Sequence, residues 1–362
     1  MLDVRIARRG RSSGVPGAIH FVGGDYRHIA SRSGYARVMD HVGKETAVEL
    51  IDGSNRLDLP SRLCRWMSRG SAHAWYTTQS FRMEVDAIQR LLRSPGSVFH
   101  VLNAEDTFRY LGHARSVSRL NGSKIVATYH QPPGVLDRVV GGPRAARNLD
   151  AVIVLGSNQV QYFAPIVGRD RVFLIPHGVD TDYFAPGPEG PSDQAVCLFV
   201  GNWLRDFDML RDVVGRVESA DPSVRFRLVV KNERAVAFAG MRNVQVIDSI
   251  SDQELLREYQ SADLLVVPYL DVVASNTVLE GLSCGLPVVT TDVGAMGDYV
   301  TSDCGHMVRR GDGAEMAEAI LALIGDGQQR RKMGAHGRQV ALKYDWRDVA
   351  AAHVDLYRNL AA

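Results

Sequence analysis

The stretch LLVVPYLDVVASNTVLEGLSCGLPVVTTDVGAMGDYV, residues 264–300, decides the fold of this 362-residue chain. It begins with Leu264 to Leu270, an apolar run that is interrupted by one proline and bounded by polar residues. Pro287 to Val293 is a second run of the same kind. Continuous apolar runs of this length are typical of strands that are buried on both faces of a parallel sheet. The stretch therefore predicts two parallel strands joined by a crossover.

The crossover is predicted to be a short helix. Three successive residues can cap its start, because their side chains accept hydrogen bonds from the first turn: Ser275, Asn276 and Thr277. Gly285 is placed to end the helix after Cys284. Such a helix begins at the carboxyl edge of the sheet, where its free N–H groups and its dipole favour a phosphate.

Glu280 allows two interpretations. It lies four residues after Asn276, so both side chains share one helical face. A carboxylate one turn beyond a phosphate site can accept hydrogen bonds from both hydroxyls of a ribose, which predicts a sugar-nucleotide site. The alternative is a capping box with Thr277, in which Glu280 only closes the start of the helix.

Composition narrows the class of protein. The net charge of +1 gives no indication of a nucleic-acid partner, and the 45% hydrophobic and 23% charged residues are ordinary for a globular chain. The four cysteines have no metal-ligand spacing, which predicts reduced thiols in a cytoplasmic protein. The start of the chain lacks the apolar core of a signal peptide, and no apolar run approaches the ~20 residues of a membrane span.

The length predicts two domains of ordinary size. Strands alternate with helices throughout, which is typical of parallel α/β sheets. The strands predicted before the Pro- and Gly-rich linker 185–194 are 18–22, 45–52, 74–78, 97–103, 124–130, 151–155 and 172–176. Those predicted after it are 195–201, 224–230, 244–247, 264–270 and 287–293. A long helix is predicted at 106–120, and the chain is predicted to be mainly helical after residue 313.

Beyond these patterns, the chain resembles the family 4 retaining glycosyltransferases, also called glycosyl transferases group 1. Besides the opening stretch, IPHGVDTDYFAP (175–186), CLFVGNWLRDFDML (197–210) and IDSISDQELLREYQSADLLVVP (247–268) carry the resemblance. It implies a GT-B fold, in which two Rossmann-like domains have parallel sheets that face each other across a cleft. It further implies an acceptor-side domain at 1–176, a donor-binding domain at 177–345, and a last helix, 346–362, that crosses back to the first domain.

The resemblance also implies residue roles for the donor. In the family an acidic residue holds the ribose, which Glu280 matches, and another acidic residue eight positions earlier approaches the donor sugar. That earlier position is Val272 in this chain, and Asp271 lies one place before it. The nucleotide base is expected against the loop of Ser249 and Ile250.

Positive charge for the diphosphate is expected at the end of strand 195–201. The family has Arg directly after the glycine there, but here Asn202 follows Gly201 and Arg205 is the nearest cation. Arg205 can make a bidentate bond to phosphate oxygens. Lys231, after strand 224–230, lies at the same edge and would add a second charge. The alternative for both cations is a solvated surface side chain.

Two residues of the first half complete the predicted site. The resemblance implies that the loop at Gly34 lies under the phosphates, and that His130, at the end of strand 124–130, faces the donor sugar. The alternative for His130 is a loop histidine that is hydrogen-bonded to backbone.

The main prediction is a retaining hexosyl- or related glycosyltransferase that uses no cofactor and no metal. It would move sugar from a UDP- or GDP-type donor to a hydroxyl of a glycan, lipid-linked or small-molecule acceptor. The Asp-x-Asp strings at 180–182 and 206–208 are assigned to a turn and a helix start. The alternatives are an epimerase or phosphorylase on the same fold, and a non-catalytic protein, which Asn202 and Val272 favour.

The segment from Leu59 to Arg69 predicts an amphipathic, basic helix. It places Trp66 beside three cationic side chains: Arg62, Arg65 and Arg69. This combination suits an anionic membrane surface and predicts peripheral contact with the inner face of the membrane. The alternative is a helix that packs on the first sheet and leaves the arginines in solvent.

Overall fold

A computed structural model describes residues 17–24, 32–54, 59–69, 74–188 and 194–362. The chain divides into two compact units. The first unit comprises 1–29, 34–177 and 346–362, and the second comprises 30–33 and 178–345. The segment before residue 17 and much of the predicted linker lie outside the described residues.

The first unit is built on a parallel six-stranded sheet. Its strands are β1 (Ile19–Val22), β2 (Val48–Ile51), β3 (Val98–Val101), β4 (Lys124–Tyr129), β5 (Ala151–Val154) and β6 (Val172–Leu174). They lie in the order β2-β1-β3-β4-β5-β6. All four side chains in each of β1, β3 and β5 are buried, His20 and His100 included, as is typical of strands that are covered on both faces.

Helices cover this sheet. They are α1 (Arg37–Val42), α2 (Ser61–Ser68), α3 (Thr78–Arg93), α4 (Ala104–Thr107), α5 (Arg115–Leu120), α6 (Pro133–Val139) and α7 (Ser157–Val167). Short 3₁₀ segments lie at Leu111–Ala114, Pro143–Asn148 and Arg169–Arg171. The last helix of the chain, Trp346–Ala361, also belongs to this unit. Nδ1 of its His353 donates to the carbonyl of Val349, and Nε2 accepts a 2.7 Å hydrogen bond from the hydroxyl of Tyr35, just before α1.

The second unit has its own parallel sheet. Its strands are β7 (Val196–Val200), β8 (Arg225–Val229), β9 (Val244–Ile247), β10 (Leu264–Val267), β11 (Val288–Thr291) and β12 (Gly305–Val308). The order β9-β8-β7-β10-β11-β12 is that of a Rossmann fold, with the direction of winding reversing between β7 and β10. Ligands of such sheets bind beyond the carboxyl ends of the strands at this switch point.

The helices of the second unit are α8 (Phe207–Ala220), α9 (Asp252–Ser261), α10 (Asn276–Ser283), α11 (Gly313–Gly325) and α12 (Gly327–Leu342), and the last helix of the first unit is α13. Two 3₁₀ segments, Asn232–Phe238 and Met296–Asp298, complete the second unit. The predicted α/β class with two parallel sheets is confirmed. The predicted helix after Ser275 is also confirmed, and Gly285 follows it with a φ of +83°.

Two elements of the first unit differ from the predictions. The strand predicted at 74–78 is wrong, because Thr77 caps α3 in a capping box with Ser80. The single helix predicted at 106–120 is wrong too, because it is broken at 108–110. The buried carboxylate of Glu84 accepts the backbone N–H groups of Arg109, Tyr110 and Leu111, each at 2.8 Å, so these donors are withdrawn from a helical ladder.

Strand β12 is an element that the sequence pattern did not reveal. It has the sequence GHMV and pairs in parallel with β11 at the edge of the sheet. Its burial pattern leaves His306 exposed and Met307 half-buried, so it lacks the continuous apolar run by which its neighbours were recognised. The pairing partner β11, rather than local composition, makes it a strand.

Close packing between α10 and α12 depends on a glycine. A Cβ atom on Gly334 would lie 2.0 Å from the carbonyl oxygen of Gly285, which is backbone and cannot rotate away. The same addition at Gly325, the last residue of α11, would meet nothing within 4 Å.

We expect Gly334→Ala to lower the free energy of unfolding by about 3 kcal/mol or more, because overpacking against backbone forces the two helices apart. Gly325→Ala is the matched control and should be neutral or stabilising by up to about 1 kcal/mol, through better helix propensity. Urea denaturation of both variants measures the difference. Equal stability of the two variants would contradict the packing argument.

Candidate functional site

The loops after β7 and β10 meet at the switch point of the second sheet. Arg205 and Tyr269 form an isolated antiparallel bridge, and the backbone N–H of Leu270 donates to the carbonyl of Leu204 at 2.9 Å. The N–H of Asp206 donates to the carbonyl of Pro268 at 2.9 Å. The two loops are therefore fixed to each other before any ligand is considered.

The side chain of Arg205 is held at this junction. Its Nε donates to the carbonyl of Val200 at 3.1 Å, its Nη1 to the carbonyl of Trp203 at 3.1 Å, and its Nη2 to Thr277 Oγ1 at 3.0 Å. The guanidinium also lies 4.1 Å from the centroid of the Tyr269 ring, a cation–π contact. Arg205 is thus an ordered, half-buried cation beside the N-terminus of α10, and the alternative of a solvated side chain is wrong.

Gly201 makes room for that guanidinium. Its φ of +98° is a left-handed conformation that other residues rarely adopt, and a Cβ there would lie 2.7 Å from Arg205 Nη2. Two independent features, backbone conformation and space, therefore require glycine at the end of β7.

The N-terminus of α10 is capped by Ser275, whose Oγ accepts the N–H of Val278 at 3.2 Å and shares a short hydrogen bond with the hydroxyl of Tyr269. Asn276 Nδ2 donates to the carbonyl of Ser33 at 2.8 Å, so the segment 32–33 of the second unit lies against the start of this helix. The first-turn N–H groups of α10 have no acceptor four residues earlier in the helix, and Thr277 of this turn contacts Arg205 at the junction.

Glu280 is 3% exposed and does not form the capping box. Because Ser275 caps the helix, Glu280 stands in its second turn, and its Oε2 accepts the hydroxyl of Tyr259 at 2.7 Å. Burial raises the pKa of the Glu280 carboxyl. The capping-box alternative is therefore wrong for this residue. A capping box does occur in α9, between Ser251 and Glu254.

Val272, at the position where the family has an acid, is 4% exposed and belongs to the hydrophobic core of the second unit. The neighbouring Asp271 is half-buried, its Oδ1 accepts the N–H of Val272 at 2.8 Å, and burial raises its pKa. Gly294 packs directly against this turn, since a Cβ atom on it would lie 2.0 Å from the carbonyl oxygen of Val272. The loop after β10 thus presents Asp271, and not residue 272, outside the core.

The remaining predicted residues of the second unit follow β7, β8 and β9. Asn202 Oδ1 accepts the backbone N–H of Lys231 at 3.2 Å, which ties these two loops together, and the Lys231 side chain is exposed. Ser249 has a φ of +57°, an uncommon conformation for a residue other than glycine, and Ile250 beside it is half-buried. The residues that follow β7 and β10 are in direct contact, whereas Ser249 and Ile250 lie two strands further along the sheet.

His130 lies in the first unit, directly after β4. Its Nε2 is 2.8 Å from the carbonyl of Leu102, and since a carbonyl only accepts, Nε2 carries the proton and Nδ1 is left as an acceptor. Burial lowers the pKa of His130 to about 4, so the ring is neutral at neutral pH. The buried Glu105 accepts the backbone N–H groups of His130 and Gln131, and its own pKa is raised to about 8 by burial.

Gly34 belongs to the first unit and directly follows Ser33, the residue whose carbonyl meets Asn276. Sequence reasoning missed the side chains that support the site. Tyr259, Tyr269 and Glu105 each bond or stack with a predicted residue across 20 or more positions of sequence, and no local pattern marks them. The roles of the predicted site residues stay predictions.

The family match and the curated relatives to which this chain is similar are glycosyltransferases. Residues 194–326, which hold β7 to α11, match the family described as Glycosyl transferases group 1. The D-inositol 3-phosphate glycosyltransferase of Geodermatophilus obscurus is 27% identical over 253 residues, which cover 62% of this chain and 56% of that protein. Its counterpart from Xylanimonas cellulosilytica is 23% identical over 341 residues, which cover 85% of this chain and 79% of that protein.

A third relative is the phosphatidyl-myo-inositol mannosyltransferase of Mycobacterium leprae, 26% identical over 207 residues. That match covers 54% of this chain and 55% of that protein, so the chain spans little more than half the length of two of these three relatives.

Solved structures agree on the fold. Sucrose-phosphate synthase from Thermosynechococcus elongatus superposes with a TM-score of 0.71 at 18% identity, covering 95% of this chain and 98% of that one. Anabaena Alr3699/HepE in complex with UDP gives a TM-score of 0.67 at 14% identity, covering 92% and 97%. With the sheet order of the second unit, these findings show that the chain has the GT-B fold, and its residues 194–326 match the glycosyl transferases group 1.

Proposed function

We propose that this protein is a retaining glycosyltransferase that moves a sugar from a nucleoside-diphosphate donor of the UDP or GDP type to an acceptor hydroxyl. The observation that carries the proposal is the Arg205 guanidinium, held against the N-terminus of α10 at the switch point of a Rossmann sheet. A cation and a helix dipole aimed at the same point favour a diphosphate. The UDP bound by a structural neighbour is compatible with this.

The chemistry would be departure of the nucleoside diphosphate. Arg205 has five N–H groups, and within the described part of the chain three of them are bonded to protein, so one on each Nη is left for a leaving phosphate. Lys231 and the first-turn amides of α10 would add to the stabilisation of charge as the bond to the sugar breaks. The acceptor hydroxyl would attack from the same face and lose its proton to the leaving phosphate, and no cofactor is needed.

Glu280 would hold the ribose. Its carboxylate is buried and positioned by Tyr259, so a ribose hydroxyl would meet an acceptor of fixed direction. His130, neutral and with Nδ1 as an acceptor, is suited to bind a sugar hydroxyl rather than to carry positive charge. Ser249, Ile250 and Gly34 are proposed to line the base and phosphate positions.

We propose that the reaction is independent of metal. Asp206 already caps α8, with its Oδ1 accepting the N–H of Met209 at 3.0 Å, and Asp180 Oδ1 accepts the N–H of Tyr183 at 3.1 Å. These carboxylates have structural roles, and cationic groups of the protein face the candidate diphosphate position in their place.

The second candidate is a non-catalytic nucleotide-binding protein. The burial of Val272 in the core favours it, because no acid is available at that position. Both candidates bind a nucleotide, and they differ in whether a sugar nucleotide is consumed.

The acceptor is proposed to be a glycan or a lipid-linked molecule at the membrane surface. Helix α2 buries Cys64 toward the aromatic cluster of Tyr76 and Phe81, and leaves Trp66 70% exposed and Leu63 39% exposed. Its arginines are exposed on the same helix. Within the described ranges, no helix combines the length and apolar character needed to cross a membrane. A relative whose name includes a phosphatidylinositol acceptor is compatible with a lipid-linked substrate.

The reaction is tested with a panel of UDP- and GDP-sugars, by donor hydrolysis and by thermal shift. We expect one donor class to stabilise the protein and to be hydrolysed slowly. Arg205→Ala should lower turnover by about 10²–10³-fold and affinity much less, because the charge it meets grows in the transition state. Arg216→Ala, an exposed arginine of α8, is the control. Binding without hydrolysis would favour the non-catalytic candidate, and unchanged turnover in Arg205→Ala would remove Arg205 from the mechanism.

Glu280→Gln should weaken nucleotide binding by about 1–3 kcal/mol, since it removes a charged hydrogen bond to the ribose. Isothermal titration with UDP and GDP measures the change. Glu254→Gln, which alters the genuine capping box of α9, is the matched control and should affect melting alone. Normal binding by a Glu280→Gln protein that melts earlier would assign Glu280 a structural role.

Membrane contact is tested by co-sedimentation with vesicles of neutral lipid, with and without 30% anionic lipid, at two salt concentrations. Each basic residue near an anionic surface contributes about 1 kcal/mol to the binding free energy. We expect salt-sensitive pelleting with anionic vesicles that is lost in the triple variant Arg62→Glu, Arg65→Glu, Arg69→Glu. The control makes the same charge change on the second unit, at Arg211, Arg216 and Arg331. Absence of pelleting at low salt would leave α2 as a packed helix with solvated arginines.

A further inference from the structure

The loop between β7 and α8 holds an aromatic side chain outside the core. Trp203 is 55% exposed, whereas the large aromatic side chains of the surrounding core, Phe199 and Tyr269 among them, are buried. It stands between Gly201 and Arg205, in the segment that fixes the guanidinium at the switch point. Its position is therefore defined by the same contacts that define the candidate diphosphate site.

The backbone around Trp203 is held in an uncommon conformation. Leu204 has a φ of +52°, which is left-handed and unfavourable for a residue with a bulky side chain. Three hydrogen bonds maintain this turn: Arg205 Nη1 to the Trp203 carbonyl at 3.1 Å, Leu270 N–H to the Leu204 carbonyl at 2.9 Å, and Asp206 N–H to the Pro268 carbonyl at 2.9 Å. Conformations of this kind persist where the surroundings over-determine them, and they cluster at ligand sites.

The surroundings of Trp203 combine three kinds of group. Arg205 and Tyr269 pair in an antiparallel bridge. Trp203 lies two residues before Arg205, and Asp271 lies two residues after Tyr269, so the register places them opposite each other. Leu270 between them is 37% exposed. The register of the bridge thus places an exposed indole, an exposed aliphatic side chain and a carboxylate on the two segments that flank Arg205, at the carboxyl ends of β7 and β10.

We propose that Trp203 is a stacking platform for a sugar ring at this site, with the Asp271 carboxylate accepting one of the ring hydroxyls. This inference rests on the proposed function. The face of an indole carries partial negative charge, and the C–H bonds along one face of a pyranose carry partial positive charge, so the two faces attract while they exclude water. The sugar hydroxyls around the ring edge require polar acceptors such as Asp271, whose Oδ1 is anchored by the N–H of Val272.

The ring belongs either to the donor sugar or to a saccharide acceptor, and both present the same chemistry. To test whether the ring is that of the donor sugar, we would compare the protein's affinity for a free nucleoside diphosphate with its affinity for the sugar conjugate. The pairs are UDP with UDP-glucose and GDP with GDP-mannose. Binding of any of these by the wild-type protein tests the proposed function first. The difference between conjugate and free nucleotide then tests Trp203 alone.

We expect Trp203→Ala to weaken the sugar nucleotide about three- to ten-fold relative to the free nucleotide, and Trp203→Phe to restore most of the loss. Trp66→Ala removes the other strongly exposed tryptophan, on α2 of the first unit, and should change neither affinity. Circular dichroism and melting temperature control for folding of each variant.

If the ring is that of the acceptor, Trp203→Ala will leave donor binding and hydrolysis unchanged and will raise the KM for the best acceptor from a panel of methyl glycosides, again with rescue by phenylalanine. Equal weakening of free and conjugated nucleotide would overturn the proposal, because it would place the indole on the nucleobase or report damage to the loop. Unchanged donor affinity together with an unchanged acceptor KM would overturn it as well.

Discussion

The second unit depends on the contact between the Arg205 guanidinium, the Tyr269 ring and the start of α10. A parallel sheet whose winding reverses leaves a gap between two neighbouring loops. Here the Arg205 side chain spans that gap, beside the backbone hydrogen bonds that join the two loops. The guanidinium donates hydrogen bonds to the carbonyls of Val200 and Trp203 and to Thr277 Oγ1, and so joins the end of β7 to the N-terminal turn of α10. Because its partners are carbonyls, a hydroxyl and an aromatic face, it keeps its full positive charge available to an anion.

The position of the Arg205 guanidinium explains other features of the loop between β7 and α8. Glycine at 201 is required by the space that the guanidinium occupies, and the left-handed Leu204 follows from bonding the two loops together. The exposed Trp203 is a consequence of this turn. Because Val272 is buried in the core, the loop after β10 carries its acid one residue earlier, at Asp271, whose Oδ1 accepts the N–H of Val272.

In the first unit, buried carboxylates order the loops instead. Glu84 gathers three backbone N–H groups and so breaks a helix, and Glu105 fixes the backbone of His130 and Gln131. Each of these carboxyls has a pKa raised by burial, to about 7 for Glu84 and about 8 for Glu105. Loops that carry polar chemistry are thus positioned by acceptors inside the core, where an unsatisfied N–H would be most unfavourable.

The sequence by itself determined the strands and the helix that have continuous apolar runs or clear caps. Eleven of the twelve strands predicted from such runs exist, the segment at 74–78 being the exception, and so does the crossover helix after Ser275, because burial on both faces and capping are determined by local sequence. The family resemblance added the GT-B fold and the candidate residues. Only the tertiary structure decided that β12 is a strand, that the helix at 106–120 is broken, and that Glu280 faces Tyr259 instead of capping its own helix. These outcomes depend on partners distant in sequence, namely a neighbouring strand, a buried carboxylate and a phenol, whose positions are fixed only when the whole sheet is assembled.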